Sequence, residues 1–395
     1  MDALKKIKGI LRGIAAKGVN LIPVSSTFLG SPRSIVFIDH IISNSTKYLK
    51  ISDSEAIIEL APKTCDENVF FKFKQYYNRK QPKSFIVEIE NGRVWGNNGA
   101  IISQKDELIA DLSIEFGPAK FNADKHSIFK RVILGPMLTL KGRWAVIASP
   151  GADVYAHWFA DVLPRLYLIQ KMGLLQNIDG IILNYSGLDF QVDSLSRMGI
   201  SSDLILNCKN QIFFHAKADS LVVPSYVNQH ATVNKWVCEW IRSLYTFKLG
   251  KLGSSFHSKR IYISRVLATG RQLIDENAIV KVLVKDFGFE CIKTEELKME
   301  EKVGIFSNAE FIIGPHGGGL TNILFSKPGC VVIDIFPPGD FDTFYWTIAN
   351  SLNLEYHYFF GKGELPTIKN DFVRRNVDID IDRKLFFSYL RKLIN

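Results

Sequence analysis

The sequence predicts an α/β protein of two domains with a β-rich N-terminal part, and three observations carry that expectation. From about residue 143 onward, short apolar, β-branched runs alternate with helical patterns, the order that builds sheets with crossover helices. At 395 residues the chain is too long for one ordinary core. A glycine-rich turn, Gly314-Pro315-His316-Gly317-Gly318-Gly319, follows an apolar run (311–313) and opens an apolar, helix-like segment (320–325), which is a strand–turn–helix unit suited to a ligand.

Taken in order, residues 1–18 place Leu4, Ile7, Leu11 and Ile14 at helical spacing with Lys5, Lys6, Lys8, Arg12 and Lys17 between them. This describes a basic amphipathic arm, over 1–20, that either lies on an anionic membrane surface or docks on the protein itself. Residues 34–142 read mainly as strands, at 34–38, 56–60, 85–90, 92–95 and 108–112, with Asn97-Asn98-Gly99 as a turn. An α/β series follows: strand 144–148, helix 155–171, strand 180–183, helix 190–198, strand 220–223 and helix 232–247. Residues 249–258, rich in glycine and serine, are the best linker. Beyond it come strands at 260–264, 290–293, 311–314, 331–336 and 356–359, with helices between and a terminal helix at 382–394. The expected domains are 21–250 (β-rich 34–142, α/β 143–250) and 251–395.

A hydrophobic content of 47% with 23% charged residues is that of a globular protein, not a disordered one. The net charge of +9 points to an anionic ligand or membrane surface. Nucleic acid is disfavoured, since zinc-finger spacing, aromatic RNA-binding signatures and dense basic helices are all lacking. The five cysteines are scattered and form no C-x-x-C pair, which fits a reducing compartment. No apolar stretch is long enough to span a bilayer, and the basic N-terminus lacks the apolar core of a signal peptide.

The glycine turn is the first chemical signal. Glycines admit a ligand close to the backbone, and a helix start offers free N–H groups and a positive dipole end, so the turn suits phosphate. The spacing is not G-x-G-x-x-G, which argues against a nicotinamide cofactor. Upstream, Arg265 ends a β-rich run and Arg271 follows, with Asp275 and Glu276 opening a helix. Arginine's planar fork suits a diphosphate. Downstream, Asp334 interrupts the apolar run 330–335, and a carboxylate at a strand end can accept from ribose hydroxyls.

The second signal is His157-Trp158-Phe159-Ala160-Asp161-Val162-Leu163-Pro164-Arg165. His157, Asp161 and Arg165 are spaced four apart, one face of a helix, so His157 and Asp161 form either an acid–base pair or a structural i,i+4 contact. Pro164 either kinks that helix or sits in its first turn with His157 in the preceding loop. His126, His215, His230 and His257 show no metal spacing, and Asp378-x-Asp380-x-Asp382 reads as a turn and N-cap, so no metal or other cofactor is expected.

With these residues the chain resembles glycosyltransferase family 61, which includes bacterial capsular polysaccharide biosynthesis proteins. Three blocks carry the likeness: His157 to Leu166; Tyr262-Ile263-Ser264-Arg265 with Arg271 and Glu276; and His316-Gly317-Gly318-Gly319-Leu320-Thr321-Asn322 with Asp334. The family usually has alanine where Gly318 stands, Asn-Glu at 275–276 and glutamine near Lys302. The resemblance covers about 143–336 and implies a GT-B fold, two Rossmann-like domains facing a cleft. It also implies inversion at the anomeric carbon without an obligate metal. On it, a nucleotide sugar is held in the C-terminal domain by Arg265, Arg271, Glu276, the turn His316–Asn322 and Asp334. A glycan or lipid-linked glycan acceptor lies on the N-terminal domain near Arg165, with Asp161 as base and His157 as the alternative. The expected setting is cytoplasmic, peripheral on the inner membrane face. Two other readings stay open: a polysaccharide pyruvyltransferase, and a noncatalytic glycan- or nucleotide-binding protein.

Overall fold

The computed structural model describes residues 30–42, 47–66, 68–117, 122–209, 211, 213–229, 231–246, 258–365 and 376–394. The basic arm, His230, His257 and all of the expected linker but Ser258 lie outside the described residues. The strands are β1 (Ser34–Val36), β2 (Lys47–Ser52), β3 (Glu55–Ile58), β4 (Asn78–Gln81), β5 (Ser84–Glu90), β6 (Arg93–Trp95), β7 (Ala100–Ile102), β8 (Glu107–Ile109), β9 (Leu138–Val146), β10 (Gly180–Leu183), β11 (Ile205–Asn207), β12 (His215–Pro224), β13 (Arg260–Ile263), β14 (Glu290–Ile292), β15 (Phe311–Pro315), β16 (Val331–Phe336) and β17 (Glu355–Phe360). They are shared between two compact units.

The first unit holds the described residues up to Ser54 together with Pro82–Val227. Its sheet runs β1-β8-β7-β6-β12-β9-β10-β11, with β5 against β12 and β2 against β5. The strands β12, β9, β10 and β11 are parallel neighbours. Helices Leu163–Lys171 and Asp189–Arg197 supply the crossovers β9 to β10 and β10 to β11. The other edge of β12 takes β5 and β6 antiparallel, so the β-rich extension continues the same sheet. Val87, Ile89, Val94, Val146, Ile182, Leu221 and Val223 fill its core. Gly180 is needed beside β9 because a Cβ there would lie 2.3 Å from the Trp144 ring. The chain leaves β9 for β10 on one side while β12 lies on the other. The carboxyl end of β9 is therefore a switch point, where α/β sheets bind ligands.

The second unit holds Glu55–Gln81 and the described residues from Asn228 on. Five parallel strands run β14-β13-β15-β16-β17. Helices Glu276–Phe287, Met299–Asn308, Phe344–Ser351 and Arg383–Ile394 belong to it. The strands read as nearly continuous apolar runs because both faces are covered. Here the reversal falls between β13 and β15, so their carboxyl ends frame the switch point.

The units divide the chain at Val227/Asn228, not at 250/251, and segment 55–81 belongs with the C-terminal unit. The open edge of β17 draws it in: Lys63 N–H donates to Tyr356 O (2.9 Å), and Tyr358 N–H to Lys63 O (3.0 Å). Trp346 Nε1 donates to Leu60 O (2.9 Å), and Phe73 packs its ring 5.2 Å from Trp346 and 4.8 Å from Tyr358. The buried pair Arg79–Glu59 (2.6 Å) ties the ends of the β3–β4 hairpin.

Candidate functional site

In the second unit, Ser264 and Arg265 follow β13 and His316 follows β15, so the two motifs meet at the switch point. A Cβ on Gly317 would lie 1.9 Å from Arg265 Nη1, so glycine here lets the guanidinium rest on the turn. The φ of Gly317 is 162°, extended backbone, so the requirement is space rather than handedness. A Cβ on Gly319 would sit 2.8 Å from Ile263 Cγ2 and 3.1 Å from Thr294 Oγ1. Gly318 meets nothing within 4 Å, and a methyl group fits there. The helix that follows, Gly318–Phe325, is 3₁₀. Leu320 N–H returns to Gly317 O (2.9 Å), leaving the Gly318 and Gly319 N–H groups ahead of that bond, where a helix start offers donors.

Arg265 donates through Nη2 to Gly270 O (3.1 Å), while its Nε is buried and makes no hydrogen bond. The Nε of Arg271 is buried and unfilled in the same way, and its Nη1 stands 4.0 Å from Asp340 Oδ2. Arg271 holds a left-handed backbone, φ 58°, a costly conformation for a non-glycine residue. Burial, and then the neighbouring Arg271 charge, push Arg265 below the usual arginine pKa. Two crowded guanidinium groups with unfilled buried donors beside the start of a helix have the chemistry to bind an anion.

The other motif residues brace this site rather than face a ligand. Glu276 accepts from Tyr262 Oη (2.7 Å), Ser264 Oγ (3.0 Å) and Arg265 N–H (3.3 Å), which fixes the backbone at the carboxyl end of β13. Asp334, expected at the nucleoside, has 0% exposure and accepts from Tyr356 Oη (2.8 Å) and His316 Nδ1 (3.0 Å). A carboxylate buried in a central strand must be satisfied internally, and these two groups do it. His316 Nε2 reaches Asp342 Oδ2 (3.0 Å), and Tyr345 Oη donates to Gly317 O (2.6 Å). Leu320, Thr321 and Asn322 are buried, with Asn322 Nδ2 on Gly319 O (2.8 Å). Asp342, Tyr345 and Tyr356 belong to no motif. The only signal was Asp342 just before a helical run, where its Oδ1 accepts from Phe344 N–H (2.9 Å).

Burial works against a charged His316, but Asp334 and Asp342 outweigh it and raise its pKa to about 10. A raised folded pKa contributes stability that is full below the unfolded value, near 6.5, and fades as pH climbs through about 10. His316→Gln should therefore melt below the wild type at pH 6, with the gap closing as pH approaches 10. A gap that is constant with pH in thermal melts would contradict the clamped imidazolium.

In the first unit, His157 ends the short helix Tyr155–His157, a π turn covers Trp158–Val162, and helix Leu163–Lys171 continues. Pro164 thus sits in the first turn of helix Leu163–Lys171, but His157 is helical rather than in a preceding loop. The wider turn sits where the proline ring would otherwise meet the Ala160 carbonyl. His157 Nδ1 lies 2.7 Å from Asp161 Oδ2, with the side chains 37% and 24% exposed, so the pair is reachable from solvent. Phe116 packs its ring 5.0 Å from the imidazole, and a Cβ on Gly151 would come within 3.0 Å of it. With Nδ1–H donated to Asp161, Nε2 carries a free lone pair, as a general base requires.

Arg165, expected on the acceptor side, is 1% exposed and points inward. It donates to Pro224 O (3.2 Å), Ile147 O (3.0 Å), Ala148 O (3.2 Å) and Val146 O (3.0 Å), with its guanidinium 4.4 Å from the Tyr226 ring centroid. It fastens the carboxyl end of β9, which leads into the His157 segment, to that of its neighbour β12.

Asp378 accepts from Gln272 N–H (3.0 Å), Asp380 pairs with Lys362 (3.2 Å), and Asp382 caps the terminal helix through Leu385 N–H (3.0 Å). Among the described residues, no three His, Cys, Asp or Glu side chains group as a metal site, and no helix is long and apolar enough to cross a membrane. The five cysteines are free thiols.

Residues 155–333, a little under half the chain, match the model of the family described as Glycosyltransferase 61. The match takes in every residue of the His157 segment, both arginines and the glycine turn, and ends one residue before Asp334. The chain is similar to "Xylan glycosyltransferase MUCI21" of Arabidopsis thaliana, 27% identical over 113 residues, or 27% of this chain and 23% of that protein. It is also similar to "Protein O-linked-mannose beta-1,4-N-acetylglucosaminyltransferase 2" of Xenopus laevis, 27% identical over 126 residues, 30% of this chain and 22% of that protein. The protein of the same name in Takifugu rubripes is 28% identical over 97 residues, 23% of this chain and 16% of that protein. The chain thus spans less than a quarter of the length of these curated relatives. Residues 155–333 thus carry a likeness to Glycosyltransferase 61, and the relatives that the chain resembles are themselves named as glycosyltransferases.

Proposed function

We propose that the protein is an inverting, metal-independent glycosyltransferase that moves a sugar from a nucleotide-activated donor to a glycan. The observation that carries this reading is the pair of buried, unfilled arginine Nε donors beside the glycine turn, inside the family-matched segment. In the proposal Arg265, Arg271 and the Gly318 and Gly319 N–H groups hold the donor's diphosphate and meet the charge that develops on it. His157 Nε2 takes the proton of the acceptor hydroxyl. The acceptor oxygen bonds the anomeric carbon as the carbon–phosphate oxygen bond breaks, and Asp161 stabilises the imidazolium that forms. The GT-B arrangement is part of the proposal, and its support is the parallel-strand core that each unit has by itself. A surface or capsular polysaccharide as acceptor rests on the resemblance of the three motif blocks. A lipid-linked acceptor at an anionic membrane surface, on the cytoplasmic side, rests on the basic arm. The test is release of sugar from UDP-, GDP- or CDP-sugars, to water or to added glycan. Turnover should persist in excess EDTA. Activity lost in EDTA and restored by magnesium or manganese would overturn the metal-free mechanism.

A further inference from the structure

A cavity of about 490 Å³ opens in the β-rich part of the first unit, within the roughly 300–1,000 Å³ common for small-molecule sites. Asn97, Glu115, His126, Arg131 and Gln211 supply polar groups to its lining, and all but Gln211 precede the family-matched segment. His126 is 2% exposed. Ile128 N–H donates to its Nδ1 (3.1 Å), so in the neutral ring the proton sits on Nε2. Burial favours that neutral form by pushing the pKa down, against the opposing pull of Glu115. Nε2 is buried and makes no hydrogen bond; it stands 3.7 Å from Glu115 Oε1, which already accepts from Ser127 Oγ. A buried N–H without an acceptor is rare in folded proteins and costly. A ligand hydroxyl satisfies such a gap, because it accepts from Nε2–H and donates to the carboxylate.

Around this point the cavity offers amides (Asn97, Gln211), a carboxylate (Glu115) and a guanidinium (Arg131), donors and acceptors together. One acid and one base leave no net charge to select an ion, which favours a neutral ligand rich in hydroxyls. The chain links the cavity to the proposed base: Glu115 lines the cavity, and the next residue, Phe116, packs on His157. We infer that this cavity is a saccharide subsite that holds one neutral, hydroxylated ring of the acceptor, with His126 Nε2–H and Glu115 gripping one hydroxyl. The acceptor role rests on the glycosyltransferase reading; saccharide binding does not.

The test uses the full chain and saturation-transfer NMR with the methyl glycosides of glucose, galactose, mannose, xylose and N-acetylglucosamine. At least one should bind. Asn97→Ala and Arg131→Ala, both at exposed positions, should each weaken it up to about tenfold, the scale of one lost hydrogen bond. His126→Leu should abolish binding. Each variant is titrated in parallel with UDP, GDP, CDP and CMP, which report on the second unit, and its melting curve reports on folding of the first. If no glycoside binds the wild type, or the variants bind it as well as the wild type does, the subsite is refuted. Nucleotide binding absent from a wild type that holds a glycoside would sink the donor reading and leave the subsite standing.

Discussion

His157→Gln should lower turnover by roughly 10²–10⁴-fold, the usual range for losing a positioned general base, while nucleotide affinity stays near the wild-type value. The proposed nucleotide contacts all belong to the second unit, so the two readouts separate. Asp161→Asn should also cost about 10²-fold, because the 2.7 Å contact that fixes the Nδ1–H tautomer and stabilises the imidazolium is weakened. Retained turnover in His157→Gln with loss in Asp161→Asn would make the carboxylate the base, the first expectation from the sequence. Full activity in both folded variants would remove the segment from catalysis.

The largest loss of stability should follow Arg165→Met. The side chain donates to four backbone carbonyls inside the first unit, and methionine replaces none of those bonds. Unsatisfied buried carbonyls, lost packing on Tyr226 and imperfect filling of the site together put the cost at about 3–5 kcal/mol. By calorimetry the variant should melt roughly 10 °C or more below the wild type. Arg165→Lys should fail nearly as badly, since one ammonium cannot reproduce the fork. A variant that melts like the wild type but loses activity would restore Arg165 to the acceptor side.

Arg165 also illustrates what could be read in the sequence. The spacing of four from Asp161 put it on the face of His157, as an uninterrupted α-helix would. The π turn at Trp158–Val162 adds a residue to the turn and rotates the helix beyond it by about 100°, carrying Arg165 into the sheet. Nothing in the local composition announces a π turn except Pro164, and neither of its two readings, a kink or a first-turn proline, includes an added residue.

The parallel strands were legible because burial on both faces makes them continuous apolar runs, as in Val331-Val332-Ile333 and Ile312-Ile313. The strand β2 was missed because its lysines mark an edge that the apolar pattern does not reveal. The placement of 55–81 was not legible at all. It depends on the edge of β17, almost 300 residues away, and no local pattern encodes so distant a pairing. Within the glycine turn, the sequence named the residues but not how the fold turns them. It could not separate side chains with unfilled donors, Arg265 and Arg271, from those that neighbours occupy. Asp334, Glu276, His316 and Asn322 are turned to neighbours by the fold.

Isothermal titration of UDP, GDP, CDP and CMP into the wild type, Arg265→Ala, Arg271→Ala, Gly317→Ala and Gly318→Ala tests the central claim most directly. At least one nucleotide should bind the wild type. Either arginine variant should weaken it by ~1.5–3 kcal/mol, the value of a charge-assisted hydrogen bond. Gly317→Ala should weaken it comparably with little change in melting temperature, because the three atoms nearest the new methyl all belong to the flexible Arg265 guanidinium, with Nη1 1.9 Å from the added Cβ. Gly318→Ala should bind like the wild type. A wild type that binds none of the four nucleotides, or arginine variants that bind as tightly as it does, would contradict the assignment of this turn as the donor site.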